Sequence, residues 1–134
     1  MQFYITVKGI VRRSDGKILV LKRSASDDHL PDVWETVGGG MDSEELPQQA
    51  LEREILEETG IVVSVGEPFH IFTFRKDTGE FKVGISFLCD AENDTVVLSE
   101  EHREHRWIHP SEFAALSSIP SLYNEIALYA KKYA

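Results

Sequence analysis

Glu54, Glu57 and Glu58 stand in a run, Gln48 to Glu58, that holds neither Gly nor Pro and is rich in good helix formers. Each residue of an α-helix turns the next by about 100°, so these three carboxylates fall within an arc of roughly 100° on one side. Leu51, Ile55 and Leu56 lie mainly on another face, suited to packing on a core. Like charges at i,i+4 destabilise a helix, and a sequence selected for stability alone tends to avoid them. A divalent cation resolves the repulsion, and clustered hard oxygen ligands suit Mg²⁺ or Mn²⁺ better than Zn²⁺. The competing reading is a solvated acidic face. The residues on either side weaken it. Gly38, Gly39 and Gly40 form a freely turning entry loop. Pro47 suits a first helical turn, where its missing N–H costs nothing. Gly60 is placed to end the helix in a left-handed cap.

Gly39, Glu45, Arg53, Glu54, Ile55, Glu57, Glu58, Gly60 and Ile61 match the Nudix box at every specified position, spacers included. Through this stretch, Gly39 to Ile61, the chain resembles the Nudix hydrolases of the MutT-like kind. The resemblance implies one Nudix domain over residues 1–134, folded as an α/β/α sandwich with a mixed β-sheet between helices. It implies metal binding by Glu54, Glu57 and Glu58, with a glutamate of the cluster or His102 taking the proton from water. Glu45 is expected beside the cluster, at the positive end of the helix dipole. Arg53 neighbours the carboxylates on the helical wheel, and a charge-assisted pair there orients a ligand. Arg23, at a strand end before the glycines, is expected to face substrate phosphates together with Gly38, Gly39 and Gly40; the other reading of Arg23 is surface charge. Val37 stands where the family commonly has proline, and Glu44 where many relatives have glycine.

Composition agrees with one enzyme domain. A chain of 134 residues with 42% hydrophobic residues can bury a sizeable core. The N-terminus lacks a basic region followed by an apolar run, and nothing approaches transmembrane length. Cys89 is the only cysteine, which excludes an intrachain disulfide and points to a reducing, cytoplasmic setting. A net charge of −9 argues against broad nucleic-acid or anionic-membrane binding. A phosphorylated small substrate stays compatible with that charge when metal ions mask the acidic site.

The flanking elements follow the family's order. Phe3–Val11 and Ile18–Leu21 read as strands around a Ser14-Asp15-Gly16-Lys17 turn. Residues 24–32 read as a polar loop, and Trp34 as a residue that packs beneath the glycines, the other reading being stacking on a base. Val62–Val65 and Phe69–Phe74 read as two strands, with Asp77-Thr78-Gly79-Glu80 a hairpin turn into a strand Phe81–Cys89. Phe69, Ile71, Val83, Ile85 and Phe87 are expected in the core. Pro110 starts a short helix with Ser111 as cap, and Pro120 opens a last helix with Ile119, Leu122, Ile126 and Ala130 at helical spacing.

Between them, Ser99 to Arg106 reads as an acidic, histidine-bearing loop leading to a strand at Trp107. By resemblance, a glutamate from such a loop completes the metal site: Glu101 first, Glu104 second. His102, His105 and His109 invite a zinc reading, which the absent cysteine, the strand at Trp107 and Pro110 oppose. The reaction implied is cleavage of a phosphoanhydride in a nucleoside diphosphate linked to another group, as an acid-anhydride pyrophosphohydrolase using Mg²⁺ or Mn²⁺. The accessory motifs for ADP-ribose, dinucleoside polyphosphates, NADH and coenzyme A are missing, which leaves nucleoside triphosphates as the leading substrate and nucleotide sugars open. The rival readings are a nucleotide-sensing or interaction domain without turnover, and a diphosphate isomerase. Homodimers are common among similar proteins.

Overall fold

The computed structural model describes residues 2–27 and 29–134. Met1, and Asp28 of the expected polar loop, lie outside the described residues. Among the described residues, seven strands, two α-helices and a 3₁₀ helix follow in order: β1 (Phe3–Arg12), β2 (Ile18–Arg23), β3 (Trp34–Glu35), β4 (Val37–Gly40), α1 (Pro47–Thr59), β5 (Val63–Arg75), β6 (Phe81–Ala91), β7 (His102–Ile108), the 3₁₀ helix Pro110–Ala115, and α2 (Pro120–Tyr133).

β1 is the hub. Along one edge it pairs in parallel with β6, from Phe3↔Phe81 to Arg12↔Asp90. Along the other it pairs antiparallel with β4, from Thr6↔Gly40 to Gly9↔Val37. The turn at Gly16 (φ 86°) returns the chain into β2, which meets β1 only at Arg12↔Ile18. β2 then carries β3 and β7, both antiparallel. Side chains alternate across a sheet, so β1 and β2 serve two cores at once. Val7, Val11, Leu19 and Leu21 pack with Ala50, Leu51 and Ile55 of α1. Ile10, Ile18, Val20 and Leu88 pack with Trp34, Phe113 and, from α2, Ile126 and Tyr129. The result is the expected mixed sheet between helices.

Several local expectations are corrected. The glycine triplet is strand rather than loop, because its backbone pairs with β1. A Cβ at Gly38 (φ 149°) would lie 2.0 Å from the Val7 carbonyl oxygen, so this pairing admits no side chain there. The two strands expected over residues 62–74 are one strand, β5, with register shifts around Pro68. Proline has no N–H to give a ladder, and β5 tolerates it as an edge strand. The shifts break the period-2 pattern, and Ile71 is exposed. Leu56 is exposed as well, about 100° around the helix from buried Ile55. β7 starts at His102, five residues before Trp107, because β2 offers it a pairing edge from Ile18 to Arg23. The 3₁₀ helix is capped by His109, whose N–H donates to Glu112 Oε1 (2.8 Å), and not by Ser111.

Candidate active site

α1 is held at both ends. Leu46 N–H donates to Gln49 Oε1 (3.3 Å), and Pro47 occupies the first turn. At the far end Gly60 adopts φ 71°, and its N–H donates to Leu56 O (2.9 Å). Thr59 Oγ1 donates to Ile55 O (2.7 Å). The helix therefore stops one residue beyond Glu58, and its last carbonyls are free for a distant segment. Val97 N–H donates to Thr59 O (2.9 Å) and Ser99 N–H to Glu58 O (3.1 Å). From the other side Ser24 N–H donates to Glu101 O (3.0 Å). These three backbone bonds set Glu101 against Glu58.

The carboxylates then divide. Arg53 gathers one group: its guanidinium reaches Glu45 (2.8 and 3.2 Å), Glu54 (3.3 Å), Glu57 (3.4 Å) and Asp42 (3.5 Å). Glu45 is thereby held below the usual carboxylate range, chiefly by its hydrogen bond from Arg53. Glu54 leans over β4 so closely that a Cβ on Gly39 would come within 2.8 Å of its Oε2. Burial raises the Glu54 carboxyl against the pull of Arg53. Glu57 points outward, with 58% of its side chain exposed.

Glu58 belongs to a second group. It is buried, and its Oε2 has no hydrogen-bond partner. Ligand atoms of Glu58, Glu101 and His102 all lie within 4.8 Å of one another. Burial, and then the Glu101 carboxylate beside it, push the Glu58 carboxyl far above its usual range. Burial of Glu58 and its nearness to the exposed Glu101 carboxylate both disfavour its ionised form, which a cation would favour. The donor set, carboxylate oxygens with one imidazole, fits a divalent metal.

Behind this pair lies a network that sequence reasoning missed. Glu35 of β3 is buried, with Oε2 2.8 Å from His102 Nε2 and 3.0 Å from Arg23 Nη1, and with Oε1 3.4 Å from Lys8 Nζ. Burial alone would raise the Glu35 carboxyl, but Lys8, His102 and Arg23 together hold it at about 2. Lys8 also donates to Thr36 O (2.8 Å). The available signal was a lysine interrupting the apolar run of β1 and a glutamate directly after Trp34. On the α2 side Glu125 is buried too; its Oε1 accepts from Ser86 Oγ (2.9 Å), and burial raises its carboxyl.

The remaining expected residues are placed as follows. The terminal nitrogens of Arg23 are committed to Asp27 (2.6 Å) and Glu35 (3.0 Å), so it braces the network instead of standing as free surface charge. Gly38 and Gly39 allow close backbone approach to β1 and Glu54, whereas Gly40 has open space where a side chain would be. Glu104 pairs with Arg106 (3.1 Å) and stays outside the Glu58 group. His102 is buried, while His105 is exposed and His109 caps the 3₁₀ helix. The three histidines therefore do not converge. Trp34 packs in the α2-side core, with Ile126 and Tyr129, and not with Val37 next to the glycines.

The NUDIX domain family model matches residues 3–128, and the chain belongs to the Nudix family. Among its relatives, a MutT-like protein of Streptomyces ambofaciens is 32% identical over 81% of this chain, which spans 65% of that protein's length. A CTP pyrophosphohydrolase of Escherichia coli K12 is 30% identical, with 98% of each chain covered. The crystal structure of a MutT protein from Methanosarcina mazei Go1 superposes with a TM-score of 0.82 at 25% identity, covering 97% of this chain and 94% of that one. No described helix is long and apolar enough to cross a membrane.

Proposed function

We propose that this protein is a divalent-metal-dependent pyrophosphohydrolase that cleaves a phosphoanhydride bond in a nucleoside diphosphate linked to another group, with nucleoside triphosphates as its leading substrates. The observation that carries the reading is the unpartnered buried Glu58 Oε2 beside Glu101, on the helix that also presents Glu54 and Glu57. Glu54, Glu57, Glu58 and Glu101 would hold Mg²⁺ or Mn²⁺. A bound divalent ion supplies charge neutralisation for the phosphate oxygens and acidification of water.

The chain's own residues do the rest. Arg53 spreads over Glu45, Glu54 and Glu57, fixing their directions and limiting their repulsion. Gly40 of β4 has open space where a side chain would be, which leaves room for a metal-bound substrate phosphate to approach the backbone there. A carboxylate of the cluster accepts the proton from the attacking water. The similarity to a CTP pyrophosphohydrolase supports a nucleotide substrate and places CTP in the assay panel. The single cysteine, unpaired and buried, supports a cytoplasmic setting.

The test is release of phosphate and nucleotide, with Mg²⁺, from nucleoside triphosphates including CTP, oxidised triphosphates, nucleotide sugars, ADP-ribose and dinucleoside polyphosphates. Glu57→Gln runs beside the wild type. We expect one substrate class to turn over and the variant to lose at least about 100-fold in kcat, as when several kcal/mol of charge stabilisation is removed. Tight binding of a nucleotide without any turnover would replace this reading with the sensing domain.

A further inference from the structure

His102 reaches the Glu58 and Glu101 carboxylates from β7, a strand far from α1 in sequence. Its side chain is only 3% exposed. Nε2 lies 2.8 Å from Glu35 Oε2. Glu35 is flanked by Lys8 (3.4 Å) and Arg23 (3.0 Å), and a carboxylate so placed only accepts. Nε2 is therefore the N–H donor, and in the neutral ring Nδ1 carries a lone pair. That Nδ1 is buried with no hydrogen-bond partner, as is Glu58 Oε2. His102 and Glu58 thus each carry an orphaned acceptor, and both belong to the group whose ligand atoms lie within 4.8 Å of one another, a donor set that suits a cation.

We infer that His102 Nδ1 is a metal ligand, so that the cation at the end of α1 is held by a mixed set of carboxylate oxygens and one imidazole nitrogen, with Glu35 as the residue that orients the ring. The inference rests on the proposed reading of this helix end as a cation site, and it gives His102 a ligand role in place of proton acceptor. A ligating histidine whose other nitrogen donates to a carboxylate is the usual arrangement at metal centres, and it fixes both tautomer and ring direction. Lys8 and Arg23 have a stated part in it: they keep Glu35 from competing for the metal as a further anionic ligand. An imidazole ligand also shifts preference. Mg²⁺ favours an all-oxygen set, while nitrogen donors suit the first-row transition metals.

The test is pulsed EPR on the full chain loaded with Mn²⁺, without substrate. Wild type should show a ¹⁴N hyperfine coupling, and protein labelled with ¹⁵N-histidine should show it move to the ¹⁵N frequency. His102→Gln should abolish the coupling and weaken Mn²⁺ binding by about 10-fold or more, with a smaller loss for Mg²⁺. His105→Gln and His109→Gln should keep it. The labelled wild type makes the measurement independent of whether the variant folds. Stoichiometric Mn²⁺ binding without nitrogen coupling would overturn the His102 assignment and leave the hydrolase reading standing. A coupling that survives in folded His102→Gln would overturn it equally. Failure of Mn²⁺ to bind wild type at all would overturn both.

Discussion

Two groups of acids meet at α1 and differ in how their charge is met. Glu45, Glu54 and Glu57 share Arg53, a cation of α1. Glu58 and Glu101 share no such partner, and Glu58 is the more buried of the helix carboxylates. The first group is self-contained and partly solvated, so its charges are tolerated at modest energetic effect. In the second, Glu58 is buried beside the exposed Glu101, and its Oε2 has no hydrogen-bond partner. The difference separates positioning from binding: Arg53 holds its acids in place, while the Glu58 group leaves its lone pairs open.

The comparison breaks most sharply at Glu58. Glu58→Gln removes one of the two competing charges, keeps the volume, and should lower kcat/KM by about 1,000-fold, equivalent to about 4 kcal/mol of lost charge stabilisation. The same variant should lose the stabilisation expected of Mg²⁺ or Mn²⁺ in wild type, about 2.7 kcal/mol at a hundredfold excess over Kd, read as a rise in melting temperature. A wild-type response in Glu58→Gln would erase the distinction between the groups.

A smaller effect is expected behind the site. Glu35 is depressed in the folded protein to about 2 from 4.5, so its stabilising contribution is present above pH 4.5 and lost as pH falls toward 2. Glu35→Gln should therefore cost about 3 kcal/mol near pH 7 and progressively less below pH 4.5, read from thermal melts of the two proteins across pH. A gap that stays constant down to pH 2.5 would mean Glu35 contributes packing and not charge. The smallest effect sharpens the choice between the two acids of the β7 segment. Glu104→Gln touches only an exposed pair with Arg106, and should change stability by less than about 0.5 kcal/mol and leave turnover unaltered.

The legible part of this site was local. Glu54, Glu57 and Glu58 share a face because helical rotation is a property of consecutive residues, and Gly60 ends the helix because left-handed backbone favours glycine wherever it occurs. The Glu58–Glu101 meeting followed only from family resemblance, and the pairing of Glu35 with His102 was not legible at all. These contacts depend on β2 carrying β3 on one edge and β7 on the other, a register set by the alternation of two separate cores. The glycine triplet misled for the same reason. Taken alone its freedom suggests a loop, but against β1 it permits a backbone approach that any side chain would block. Chemistry along one helix is written in neighbouring residues; whether its buried acids find a partner or stay open depends on strands brought in from far along the chain, for which no short stretch carries a signal.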